Sequence, residues 1–201
     1  MTLTIWPVEA SMPVQAELVE ARRHAQDERI TPYGALSIAT PTLHIHLDDL
    51  SDPRIEAFMQ EHLQDMRATS PPESVHALDM GQLRAPEIAF WSAWLPEGDA
   101  DTLVGTAALK RLTATQAELK SMRTSVRHRR QGIARQLLNH LLQESRARGF
   151  ERLSLETGTQ PFFKPARDLY LHNGFVECGP FADYLTDPHS VFMTRALCMA
   201  K

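Results

Sequence analysis

Apolar residues change their spacing sharply near the middle of the chain. Residues 118–126 are predicted to form a strand, whereas beyond Arg129 apolar residues recur every three or four positions, as on one face of a helix. Gly149 ends this pattern and is the residue type favoured just past a helix C-terminus. The sequence therefore predicts a strand that turns directly into a long amphipathic helix, with an apolar face of Ile133, Leu137, Leu138, Leu141 and Leu142.

Further strands and helices are predicted on both sides of this unit. Apolar runs bounded by turn residues predict strands over 43–47, 87–94, 103–110, 152–156, 175–178 and 190–197. Helices are predicted from Pro53 onward, over 161–172, and from a capping box at Ser70 and Glu73 through His76. No internal repeat interrupts this order.

The chain divides into an irregular N-terminal part and one globular domain. Residues 1–40 contain three prolines and no consistent apolar period, which predicts a poorly ordered extension. Residues 41–201 are numerous enough to bury a core, and 43 % of the chain is hydrophobic. Cys178 and Cys198 lie twenty residues apart without a histidine at ligand spacing. We therefore expect a reducing compartment, the cytoplasm, and no metal site.

Positive charge is concentrated around the predicted turn. The net charge of the chain is -4, yet residues 123–152 hold eight arginines against Glu144 and Glu151. This segment favours an anionic partner. A nucleic acid usually requires a broader basic excess, so a small phosphorylated ligand fits better and no nucleic acid is expected. No membrane association is expected either, because no apolar run approaches the roughly 20 residues that span a bilayer.

The turn itself has the sequence Arg129-Arg130-Gln131-Gly132-Ile133-Ala134. The first N–H groups of a helix have no intrahelical acceptor, and the helix dipole is positive there. Such a turn can bind a pyrophosphate if a glycine lets the backbone approach, and Gly132 meets that requirement. Neither G-x-G-x-x-G nor G-x-x-x-x-G-K-[ST] occurs, which disfavours dinucleotide-binding folds and nucleotide triphosphatases.

The turn resembles the acyl-CoA signature Q/R-x-x-G-x-G/A of the GNAT N-acetyltransferases. The segment Leu169-Tyr170-Leu171-His172-Asn173-Gly174-Phe175 resembles the family's L-Y-x-x-x-G-F pattern. The stretches SPPESVHALD, EIAFWSAW, ELKSMRTS, LSLETG and CGPFADYLTDPHSVFMT resemble the YsnE-like acetyltransferases, so the similarity spans about residues 43–198. It implies an α/β fold with a mixed, largely antiparallel central sheet flanked by helices. It also implies acetyl transfer from acetyl-CoA to a primary amine, directly within a ternary complex.

The resemblance also implies roles for individual residues. Tyr170 would be the general acid for the departing thiolate, and Glu118, eleven residues before Arg129, would be the general base. The alternatives to these catalytic roles are that Tyr170 only packs in the core and that Glu118 is a solvated carboxylate, with water relaying the proton. A strand N–H would hold the thioester oxygen. The coenzyme site would comprise Met122, Arg123, Thr124, Arg129, Arg130, Gln131, Gly132, Ile133, Ala134 and Arg135.

The acceptor amine, on a small molecule or a peptide, is expected near the first helices and the loops after the central and late strands. Acidic and hydroxyl groups there would suit a cationic amine, whereas Arg84 and Arg123 would equally suit a carboxylate. The sequence does not decide between them. The candidate acceptor contacts are His76, Glu156, Thr157 and Tyr184.

Two other functions are consistent with the sequence. A GNAT-like domain could bind an acyl-CoA without turnover, and the arginine-rich segment could bind nucleic acid with steep salt dependence. A homodimer is compatible with such folds, although no sequence feature identifies an interface. His44 and His46 share one strand face but lack a third ligand, which favours a half-buried strand over a metal site.

Overall fold

One continuous sheet runs through the structure, a computed structural model that describes residues 42–97 and 100–197. The extension predicted over residues 1–40 lies outside the described residues. The strands are β1 (His44–Leu47), β2 (Ile88–Glu97), β3 (Ala100–Arg111), β4 (Gln116–Thr124), β5 (Arg152–Gly158), β6 (Val176–Cys178) and β7 (Ser190–Ala196). The helices are α1 (Pro53–Thr69), α2 (Met80–Leu83), α3 (Ile133–Ala147) and α4 (Lys164–His172), with 3₁₀ turns at Pro72–Ser74, Val126–His128 and Pro161–Phe163.

Neighbouring strands pair in the order β1-β2-β3-β4-β5-β7-β6. All neighbours are antiparallel except β4 and β5, which are parallel and are connected through helix α3. A parallel pair needs such a crossover because the chain must return to the same end of the sheet before the second strand begins. This arrangement confirms the predicted α/β fold with a mixed, largely antiparallel sheet flanked by helices.

Two apolar clusters hold the helices to the sheet. All five residues of the predicted apolar face of α3 are buried, and they pack in one cluster with Trp91 and Leu155. Helix α1 contributes Ile55 and Met59 to the other cluster, which contains Trp94. The sequence thus specified which side of α3 faces the core, because apolar residues that recur with a helical period all lie on one face of the helix.

The capping box predicted at Ser70 and Glu73 is wrong. Ser70 instead ends α1, where its N–H donates to the carbonyl of Met66, and only a 3₁₀ turn follows at Pro72–Ser74. The two consecutive prolines explain this, because a residue that precedes proline is disfavoured in the helical region. A capping box does occur later, at Asp79 and Gln82, where it begins the short helix α2.

The predicted strand histidines make local contacts. The His44 ring lies 3.5 Å from the Asp101 carboxylate, and the His46 ring stacks on Trp94 with 6.4 Å between centroids. Within the described residues, no three His, Cys, Asp or Glu side chains are placed to hold a metal ion. None of the helices in the same part of the chain combines the length and apolar character needed to cross a membrane.

Candidate active site

Strands β4 and β5 separate partway along the sheet. They pair at three positions, of which the last joins Glu118 and Ser154, although β4 continues to Thr124 and β5 to Gly158. Beyond that point a gap opens in the middle of the sheet. Backbone N–H directions alternate along a strand, and Ser125 N donates to β3. The N–H group of Thr124 therefore faces the gap, whereas Met122 lies beside an irregularity at Ser121, whose φ is 51°.

Helix α3 begins next to this gap without a side-chain cap. Gly132 occupies the N-cap with a φ of 81° and provides no hydrogen-bonding side chain. Arg130, two residues earlier, also has a positive φ of 63°, which costs an ordinary residue about 1 kcal/mol. The N–H groups of the first helical turn, at Ile133, Ala134 and Arg135, therefore have no side-chain acceptor. Unpaired amides at the positive end of a helix dipole suit a phosphate group.

The predicted general base Glu118 lies at the point where the strands separate. It is only 2 % exposed, and Tyr184 Oη donates to its Oε1 at 2.6 Å. Lys120 Nζ donates to the same Tyr184 oxygen at 2.7 Å and lies 3.3 Å from Glu118 Oε1. Burial, followed by the charge of Glu118, raises the pKa of the Tyr184 phenol far above its ordinary value. Tyr184 therefore remains a donor to Glu118.

Glu156 is the second carboxylate at the gap. Ser190 Oγ donates to its Oε1 at 2.7 Å, and the carboxylate lies within electrostatic range of Lys120, His76 and Glu118. The His76 ring meets the edge of the Tyr184 ring at 5.0 Å between centroids. Of the predicted acceptor residues, the structure thus brings three together with Glu118: His76, Glu156 and Tyr184. Thr157 follows Glu156 in β5, so its side chain points to the opposite face of the sheet.

Tyr170 lies buried beside the same gap. Its Oη donates to the sulfur of Met122 at 3.6 Å, and its ring packs on Phe175 with 5.7 Å between centroids. Burial raises the pKa of the phenol well above its ordinary value, and the negative charge of Glu156 adds to the shift. The hydroxyl therefore keeps its proton over the physiological range, as a proton donor must.

Sequence analysis did not identify Lys120 as part of the site. Glu118 and Lys120 are two residues apart in β4, a spacing that places both side chains on one face of a strand. That spacing was the available signal, but many exposed strand faces show it. Only the burial of Lys120, 9 % exposed, and its contact with Tyr184 distinguish it.

The arginines predicted for the coenzyme site divide into two groups. Arg129, Arg130 and Arg135 are exposed around the start of α3, and the Arg129 guanidinium lies 5.9 Å from the Phe162 ring. Arg123 points instead to α1, where its guanidinium binds Asp65 at 2.6 Å and Glu61 at 3.2 Å. Only the backbone of Arg123 is left to contribute to the gap. Its side chain joins α1 to the part of β4 that is not paired with β5.

Substitution of the acid and of the base in this ion pair should reduce the free energy of unfolding by different amounts. Asp65→Asn leaves the buried Arg123 charge poorly paired and should cost about 1–3 kcal/mol of unfolding free energy. Arg123→Met should cost less than about 1 kcal/mol, because Asp65 and Glu61 are 38 % and 67 % exposed and water can solvate them. Urea unfolding of both variants measures the difference. A larger loss in Arg123→Met would show that the guanidinium stabilises the fold in another way.

Glu156 should make stability depend on pH. Burial raises the pKa of its carboxyl above the ordinary value, against the opposing hydrogen bond from Ser190 and the charge of Lys120. The folded state therefore loses stability as the pH rises from the ordinary carboxyl pKa of about 4.5 through the raised folded-state pKa, and the loss is complete above it; below the ordinary pKa the protonated form carries no such penalty. Glu156→Gln should raise the Tm at pH 8 by about 2–4 °C, equivalent to about 1 kcal/mol. The gain should shrink as the pH falls to 4, and a constant gain would point to packing.

Comparison with known proteins agrees with this geometry. Residues 55–175 match the acetyltransferase (GNAT) family. The chain is 52 % identical over 155 residues to the uncharacterized N-acetyltransferase YsnE of Bacillus subtilis, covering 77 % of this chain and 100 % of that protein. It is 47 % identical over 154 residues to the uncharacterized N-acetyltransferase YedL of Escherichia coli, covering 77 % and 94 %.

A solved structure shows the same arrangement of elements. A protein of the acyl-CoA N-acyltransferase type from Klebsiella pneumoniae superposes with a TM-score of 0.65 at 27 % identity, covering 78 % of this chain and 99 % of that one. The separated parallel strands, the uncapped helix that follows β4 and the sequence match all fall within the same segment. The chain therefore belongs to the acetyltransferase (GNAT) family.

Proposed function

We propose that this protein transfers an acetyl group from acetyl-CoA to a primary amine of a small molecule or peptide, directly within a ternary complex. The observation that carries the proposal is the gap between β4 and β5, which lies between the uncapped start of α3 and two carboxylates, the buried Glu118 and the half-buried Glu156. A turn that binds the coenzyme phosphates and groups that transfer protons would then lie at one opening of the sheet. The uncharacterized relatives named N-acetyltransferases support the same reaction class.

The residues around the turn fit the coenzyme. Acetyl-CoA, when bound, supplies the acetyl group as an activated thioester. The N–H groups from Gly132 to Arg135 would hold its pyrophosphate, since no side chain caps them. Arg129, Arg130 and Gln131 would surround that charge, and a backbone N–H group of the segment from Met122 to Thr124 would donate a hydrogen bond to the thioester carbonyl oxygen.

Side chains in the gap would accept the proton of the amine and donate a proton to the leaving thiolate. Glu118 accepts the proton of the amine, while Tyr184 and Lys120 hold its carboxylate in one orientation through contacts of 2.6 Å and 3.3 Å. Tyr170 retains its phenolic proton until the thiolate departs, and it then donates that proton to the thiolate. No covalent intermediate on the protein is part of this proposal, and Cys178 has no role in it.

Thiol release with a panel of amines tests the proposal. The full chain, acetyl-CoA and each amine are incubated together, and free thiol is measured against a reaction without amine. Amine-dependent release is expected, and Glu118→Gln should reduce it about 10²–10⁴-fold if Glu118 is the base. Saturable acetyl-CoA binding by calorimetry without release for any amine would instead support a non-catalytic acyl-CoA-binding module. Equal rates for wild type and Glu118→Gln would transfer the base role to water or to Glu156.

A further inference from the structure

The groups that face the gap carry an excess of negative charge. Glu118 and Glu156 provide two carboxylates, whereas Lys120 provides one ammonium, held 3.3 Å from Glu118. Glu118 and Lys120 are buried and Glu156 is half-buried, so water screens these charges poorly. A cation entering the gap is attracted, and an anion is repelled.

Among the described residues, Lys120 and Arg123 are two cations of this region that already have protein partners. Lys120 donates to Tyr184 at 2.7 Å, and the 8 % exposed Arg123 is paired with Asp65 and Glu61 on α1. The Lys120 ammonium cannot turn to a ligand without leaving the buried Glu118 carboxylate without its cation, and the Arg123 guanidinium is directed to α1 rather than into the gap.

Two further arginines donate to backbone carbonyl oxygens. Arg84 donates to the carbonyl of Leu50 at 3.1 Å, and Arg167 donates to the carbonyl of Gln160 at 3.2 Å. Burial lowers the pKa of His62 to about 4, so this side chain is neutral at pH 7. His76 lies within electrostatic range of the Glu156 carboxylate.

These charges separate two classes of acceptor. The carboxylate of an α-amino acid is one carbon away from the amine, so it would enter the same acidic gap. An alkylamine, an amino amide or a peptide N-terminus brings the positive amine alone. We propose that the acceptor is a primary amine without a carboxylate on the carbon that bears the amine. This inference rests on the proposed acetyl transfer and narrows its substrate class.

Three amines that share the same branched hydrocarbon side chain test the inference. Isopentylamine, leucinamide and leucine differ in having no substituent, a neutral carboxamide or a carboxylate next to the amine. With saturating acetyl-CoA, kcat/KM for isopentylamine and leucinamide should exceed that for leucine at least about tenfold, because one unscreened charge separates them. Isopentylamine is more basic than leucine, so greater deprotonation cannot explain its advantage.

Binding provides a readout that does not depend on turnover. Each compound is titrated by calorimetry into the full chain saturated with CoA. Binding of the first two compounds but not of leucine, without any thiol release, would support the acceptor class while refuting the transfer reaction. Equal binding or acetylation of leucine would overturn the inference. Rejection of leucinamide together with leucine would also overturn the inference, because the size of the substituent rather than its charge would then determine binding. Failure of all three compounds to bind would overturn it as well.

Two charge variants test whether the charges in the gap cause the preference for amines without a carboxylate. Glu156→Gln removes one negative charge there and should reduce the preference for isopentylamine over leucine about tenfold. Glu151→Gln removes the same charge from an exposed residue just before β5, and it should leave the preference unchanged. An equal response in both variants, or none in Glu156→Gln, would show that the gap charges do not select the acceptor.

Discussion

Gly132→Asp is expected to weaken acetyl-CoA binding at least about 100-fold. The aspartate would place a carboxylate beside the amides at the start of α3, which no side chain of the N-cap residue occupies. Two unit charges about 4 Å apart repel by about 4 kcal/mol at an effective dielectric constant of about 20. The φ of 81° at this position adds strain for any residue with a Cβ. Calorimetric titration of acetyl-CoA into wild type and variant measures the loss.

A matched substitution separates this effect from backbone strain. Gly149 has the same φ of 81°, follows the other end of α3, and has nothing within 4 Å of an added Cβ. Gly149→Asp should therefore carry a similar strain and retain full affinity for acetyl-CoA. Gly132→Asn, which has nearly the same shape without the charge, should bind better than Gly132→Asp. Wild-type affinity in a folded Gly132→Asp protein would refute the anion-binding turn.

Tyr170→Phe is expected to lower kcat about 10–1000-fold while the Kd for acetyl-CoA changes little. The phenylalanine ring can keep the packing on Phe175, and the variant loses only the hydroxyl and its contact with the Met122 sulfur. Thiol release and calorimetry on the same preparations separate turnover from binding. An unchanged kcat would assign Tyr170 to packing.

The pH profile provides a second test of Tyr170. Since burial raises the pKa of its phenol above the ordinary value of about 10, the hydroxyl stays protonated as the pH rises to 10. Deprotonation of Tyr170 should therefore not reduce the wild-type rate between pH 7 and 10. A decline in that range that disappears in Tyr170→Phe would mean that the phenol titrates at a lower pH.

Elements with a strong local pattern followed from the sequence. The apolar face of α3 and the glycines at its two ends, Gly132 and Gly149, lie where periodicity and turn chemistry place them. The turn before α3 was recognisable because the groups that we propose to bind the coenzyme are backbone amides, whose positions depend on a short stretch of chain. Where two local preferences competed, as at Ser70 before two prolines, the sequence did not indicate which one prevails.

The arrangement of the site depended on tertiary structure. Tyr184 meets Glu118 across 66 positions of the chain, and Arg123 turns to α1 to pair with Asp65 across 58. Neither contact leaves a period in the sequence, because the register of β4 against β5 and the packing of α1 on the sheet determine them. That register ends at Glu118, which opens the gap and makes Lys120 a buried partner of the carboxylate. The sequence alone thus determined the fold class and the turn, whereas long-range pairing decided which side chains face one another.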